Sequence, residues 1–137
     1  MPKIYSYLLD DLLGPLVGLA DHDETVRKYW KVNPNDPNEI KEIIRTELLP
    51  TYLSCDAVRK RLSKLCLMYY LTTSSVPFGR VYDSCLIPFD HPANPRDFFL
   101  WIWEVFFPGE DYILSNPDQY VVDNRPDVTY AIPPEEQ

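Results

Sequence analysis

Asn94-Pro95-Arg96-Asp97-Phe98-Phe99-Leu100-Trp101-Ile102-Trp103-Glu104-Val105-Phe106-Phe107-Pro108-Gly109 is the stretch that decides the fold. Between Phe98 and Phe107, Glu104 is the only charged residue. A surface helix needs a polar face, and this run has none to offer, so the pattern predicts a central buried helix near 96–107. Asn94 supplies a cap, Pro95 a preset first-turn φ, and Pro108-Gly109 a stop. A buried strand is the alternative, because an apolar run of this length does not separate the two.

Upstream of this stretch the sequence reads as helical. A first helix is expected over about Tyr5 to Ala20, with Leu8, Leu12, Leu16 and Leu19 on one stripe and Pro15 kinking it or splitting it at Gly14. A second is expected from the Asp21-His22-Asp23 cluster to Lys31, capped by Asp21 or Asp23, with Val26 and Trp30 inward. The third has the clearest start: Asp36 as N-cap, Pro37 at N1 and Glu39 at N3, then Ile40, Ile43, Ile44 and Leu48, ending by Leu49 ahead of Pro50. A fourth, about Cys55 to Thr72 with Ser54 as cap, places Val58, Leu62, Leu65 and Tyr69 on its inner stripe. Downstream of Thr72 a short strand is expected at Val81 to Ile87, a further helical turn at Asn116-Pro117 and a terminal strand at Val128 to Ile132. The fold class is therefore mainly α, about five helices in a single domain over residues 1–132, or α+β if the C-terminal strands pair. Residues 133–137 read as a frayed tail.

Composition narrows the functional classes. The 137 residues carry a formal charge of −8, with 45% hydrophobic and 14% aromatic content, too apolar for a disordered acidic chain. Charge is segregated: residues 24–80 carry a net +4 and residues 81–137 a net −9. Cys55, Cys66 and Cys85 form no CxxC, which predicts reduced thiols packed as small apolar groups. Asp10 and Asp11 interrupt the early apolar stretch, and Leu12 to Ala20 is too short to cross a bilayer, so cytoplasmic residence without a membrane partner is expected.

Catalytic signatures are scarce. His22 lies between two aspartates and His91 follows Asp90, but adjacent residues do not converge as zinc ligands must, so no metal is expected. The four glycines make neither a GxGxxG nor a P-loop, and no GxSxG or SxxK occurs. No catalytic residue, no cofactor and no enzymatic activity are expected. Arg27, Lys28 and Lys31, with Arg59, Lys60, Arg61 and Lys64, form the patches a nucleic acid would need. The net charge opposes a polyanion, so these cations are expected to pair with the acidic half or to form a solvated face.

That acidic half carries the functional expectation. Acids steer a cationic partner, and tyrosines between them supply rigid contact area. Proline-set loops reduce the ordering cost of binding. The expected partner-binding residues are Glu110, Asp111, Asp118, Asp123 and Asp127 for Lys or Arg, with Tyr112 and Tyr120 as apolar anchors. In overall character, though in no motif, the chain is similar to bacterial immunity proteins and to phage-borne inhibitors that mimic nucleic acid. The expectation is an immunity or antitoxin protein that occludes the active site of a basic toxin, a nuclease foremost. The alternatives are a nucleic-acid-binding regulator using the basic helices, a small hydrolase, and a structural subunit of a larger complex.

Overall fold

The central helix forms as the apolar run dictates. The structure, a computed structural model, describes residues 2–124, so Asp127, the expected strand at 128–132 and the expected tail at 133–137 lie outside the described residues. In chain order the elements are β1 (Lys3–Tyr5), α1 (Tyr7–Asp11), α2 (Asp23–Tyr29), α3 (Pro37–Ile43), α4 (Leu49–Ser54), α5 (Ala57–Thr73), α6 (Phe78–Ser84), α7 (Arg96–Phe106) and β2 (Val121–Asp123). Helix α7 seals Phe98, Phe99, Ile102, Trp103 and Phe106 in the core, and Glu104 alone among its last residues stays exposed. It packs on α3 and α5. The Asn94 side chain accepts the Arg96 N–H at 3.2 Å, satisfying one of the helix's unpaired first-turn donors.

Helix α3 starts where its capping residues place it: Asp36 Oδ1 accepts the Asn38 and Glu39 amides at 3.0 and 3.4 Å. It does not end at Leu49. A π-helical turn at Ile44–Leu48 carries the chain directly into α4, with Pro50 in that helix's first turn. Proline lacks an N–H and crowds the carbonyl four residues back, and the wider turn accommodates both defects without stopping the helix. Ile40, Ile44 and Leu48 remain buried through it.

Other elements depart from the sequence pattern. The expected first helix is broken into α1 and two short 3-10 turns, Gly14–Leu16 and Leu19–Asp21, while Ile4 and Tyr5 form a strand instead. Pro15 opens the first turn, and Gly18, at φ +79°, reverses the chain before the second. Helix α2 has His22, not an aspartate, at its N-cap, and no side chain caps it. It buries Tyr29, not Trp30. Helix α5 is capped by Asp56, whose carboxylate accepts the Arg59 amide at 2.8 Å, rather than by Ser54. Its buried face is Leu62, Cys66, Leu67, Tyr70 and Leu71, rotated from the expected stripe, of which only Leu62 is fully buried.

The expected strand at Val81 to Ile87 is instead helix α6 and its C-terminal turn. Phe78, Tyr82 and Cys85 are buried at i, i+4 and i+7, a helical spacing. Gly79 is part of the helix; a Cβ there would meet Pro95 Cγ at 3.2 Å, so its lack of a side chain lets α6 approach the start of α7. Sheet structure among the described residues is one parallel pair, β1 and β2, with Lys3 opposite Val121 and Tyr5 opposite Asp123. The Cys66 thiol donates to the Tyr5 carbonyl at 3.4 Å and ties this pair to α5. The fold is mainly α.

Candidate functional site

Of the acidic residues singled out from the sequence, Glu110, Asp111, Asp118 and Asp123 lie on one continuous segment that follows α7 from Gly109 and runs along α5. Gly109 takes φ +81°, and the Glu110 amide donates to the Phe107 carbonyl at 3.1 Å, turning the chain back. Trp103 Nε1 donates to the Glu110 carbonyl at 2.8 Å, so the core itself fixes where the segment starts. The Thr72 hydroxyl donates to the Tyr112 carbonyl at 3.3 Å and accepts the Leu114 amide at 2.9 Å. A 3-10 turn at Pro117–Gln119, the expected further turn, leads into β2.

Within this segment the side chains divide. Asp111 and Asp118 are exposed, and neither has a cationic partner among the described residues. The Asp111 carboxylate accepts the Ile113 amide at 3.0 Å, which holds Ile113 outward at 53% exposure. Glu110 is exposed but held by Lys64 Nζ at 2.7 Å. Asp123 is half-buried, 3.9 Å from Lys3 Nζ, and its carbonyl accepts the Ser6 amide, a strand-closing arrangement. Tyr112 takes the Arg96 guanidinium over its ring at 5.4 Å, with Nη2 donating to its hydroxyl at 3.2 Å. Tyr120 packs edge-on to Tyr69. Both tyrosines thus direct their rings to the chain's own helices.

Three cations of the basic patches hold carboxylates. Arg59 Nη2 reaches Asp11 at 2.9 Å, Lys28 Nζ lies 3.5 Å from Glu47, and Lys64 holds Glu110. Lys41 Nζ pairs with Glu104 at 2.8 Å. The Lys64 and Lys41 pairs join the basic part of the chain to the acidic part, so the two pack together.

Four clefts lie among the described residues. The largest, about 310 Å3, opens between α1 and α5 beside Ser6, Asp10, Tyr70 and Asn124. Burial, with Asp11 next door, raises the Asp10 carboxyl above its ordinary range. Among the described residues Asp10 is the one carboxylate lining it, where a paired-acid hydrolysis needs two. Neither histidine lines any of the four clefts. His91 sits 4.0 Å from Asp83 with Nδ1 against the Pro92 carbonyl, and His22 is exposed. Among the described residues no three His, Cys, Asp or Glu side chains converge to hold a metal ion. Cys66 and Cys85 are buried and free, and burial pushes both thiols up, Cys85 to about 11.

Sequence reasoning missed a second surface. Trp30, expected inward, is 71% exposed, and two grooves flank the Phe89-Asp90 loop beside it. Val26 and Tyr29 at i, i+3 fit a helix face as well as Val26 and Trp30 at i, i+4. Trp30 is the C-cap of α2 and keeps helical dihedrals, so helix spacing by itself carries no signal that separates the two. No protein-family model matches the sequence, and comparison with curated proteins and with solved structures found no match.

Proposed function

We propose that the protein works by binding a cationic protein through the 110–118 segment, and that it does so in the cytosol as an immunity or antitoxin protein masking a basic toxin, a nuclease foremost. The observation that carries the reading is the pairing of unneutralised acids with an exposed apolar side chain. Asp111 and Asp118 have no cationic partner among the described residues, and Ile113 stands out between them. Desolvated apolar contact supplies affinity, and the flanking acids supply steering and register. The segment is fixed to α5 and α7 by Thr72 and Trp103 before any partner arrives, so little ordering cost opposes binding. No helix among the described residues is long and apolar enough to cross a membrane.

Nucleic-acid binding by the basic helices has less support, because Arg59, Lys64 and Lys28 already hold carboxylates. Affinity capture from the native source at low and moderate salt tests the proposal. The expected result is one basic protein recovered in near-equal amount and lost when Asp111 and Asp118 are both changed to Lys. Recovery of RNA or DNA, or capture indifferent to that charge reversal, overturns it.

A further inference from the structure

We infer that the cleft between α1, α5 and α6 binds a small organic amine as its ammonium ion, with an apolar or aromatic body inside and the charge at Asp10. The site shares no residue with the 110–118 segment and stands independently of the function proposed above. Its walls are Tyr7 and Leu9 of α1, Tyr70 of α5, Val81 of α6, and Val76 just ahead of α6. At about 310 Å3 the cleft lies at the small end of the range that encloses organic ligands. Mostly apolar walls with a few polar groups to fix orientation are what such sites share, so the walls select the body of the ligand.

Charge selects its head. Asp10 is the one charged residue lining the cleft among the described residues. Its neighbour Asp11 is taken by Arg59 Nη2 at 2.9 Å, whereas Asp10 has no ion-pair partner among the described residues. Asp10 stays open to solvent, so a ligand reaches it. Partial burial and the Asp11 charge both work against its ionised form. A bound ammonium opposes both effects, a neutral head opposes neither, and an anion adds a further repulsion. The remaining polar groups suit a donor. The Ser6 hydroxyl gives its hydrogen to the Asp123 carbonyl at 3.3 Å, which leaves its oxygen as an acceptor. Burial foremost, with the Asp10 charge among the smaller causes, keeps the Tyr70 phenol protonated and neutral. Asn124 adds a carboxamide. An ammonium carries three N–H donors and no acceptor, which matches a carboxylate set beside further acceptors.

The test uses the full chain, followed by amide NMR during titration with phenethylammonium to about 10 mM, a range that covers the affinity of a ligand this small. The expected result is saturable shifts centred on Leu9, Asp10, Tyr70 and Val81. Phenethyl alcohol binds at least about tenfold more weakly and hydrocinnamate not at all, since only the ammonium makes a charge-assisted hydrogen bond to Asp10. Asp10→Asn weakens the ammonium about tenfold or more, and Val76→Trp, which fills the cleft from a half-buried position, blocks it. The ligand series on the unaltered chain decides the matter even where a variant fails to fold. No saturable shift, equal binding of the alcohol, or binding indifferent to Asp10→Asn overturns the inference. So does binding that emerges only in Arg125→Gln, which assigns Asp10 to the chain's own arginine. Tighter binding of Nα-acetyl-lysinamide overturns it too, by making the cleft a socket for another protein's lysine.

Discussion

Tyr82→Phe removes one oxygen atom from the core and tests how the Phe89-Asp90 loop is held. The Tyr82 hydroxyl donates to the Phe89 carbonyl at 2.6 Å, with both residues buried. The ring itself packs edge-on to Phe98 at 5.1 Å and to His91 at 5.6 Å, contacts that phenylalanine keeps. The substitution therefore leaves volume and packing unchanged and strands a buried acceptor. Such a loss costs about 1–3 kcal/mol, against the smaller net value of an ordinary exposed hydrogen bond. Taking about 2 kcal/mol and the usual unfolding entropy per residue over 137 residues, Tm falls by about 7 °C. Equilibrium urea unfolding gives the same quantity as a lowered midpoint at constant slope. A change below about 0.5 kcal/mol at unchanged slope refutes the reasoning, since it means water reaches the Phe89 carbonyl.

Three further outcomes follow from the same physics. Burial holds the Cys66 thiol far above its ordinary value near 9, so above that pH the unfolded chain loses a proton that the folded chain keeps. The unfolded state then binds fewer protons and stability falls with rising pH, by about 1.4 kcal/mol per unit from Cys66 alone. Urea titrations between pH 8 and pH 10 read the onset of this loss, about 1.4 kcal/mol in all from Cys66 across the two units, and Cys66→Ala removes that part while Cys85, raised to about 11, keeps its own. Ile102→Ala, at a fully buried α7 position, costs about 2–5 kcal/mol, while Glu104→Ala, at the exposed Lys41 pair, costs less than about 1 kcal/mol; chemical denaturation separates them. Asp36→Ala costs about 1 kcal/mol through its lost cap, whereas Ser54→Ala stays within about 0.5 kcal/mol by the same measurement, because Ser54 caps nothing.

The parts of the fold legible in the sequence are those where one local effect dominates. Asp36-Pro37 fixes a helix start, and the run of α7, with Glu104 its one charge between Phe98 and Phe107, fixes a buried element. Elsewhere two local rules compete and tertiary packing decides. Pro50 reads as a stop, yet the π turn absorbs it because Ile44 and Leu48 are worth burying. Val81 and Tyr82 read as strand by residue type, yet Phe78, Tyr82 and Cys85 are placed to face the core only as a helix. The candidate site was half legible for a similar reason. That residues 110–123 are acidic is written in the sequence. That Glu110 is held by Lys64 and Asp123 lies near Lys3, while Asp111 and Asp118 meet no cation among the described residues, depends on partners between 46 and 120 positions away.

The β1–β2 pair sets an order of events for a growing chain. Lys3 is synthesised 118 positions ahead of its neighbour in the sheet, Val121. Parallel pairing of segments that far apart is the slowest kind of contact, because a long loop must close before anything repays it. At ordinary elongation rates β1 waits roughly 6–24 s for its partner, longer than the time a small helical core needs to collapse. Ile4 and Tyr5 are buried in the finished protein and lack the cover of β2 throughout that interval. The nascent chain is therefore adhesive around β1, and the arrival of β2 is the step that ends that exposure.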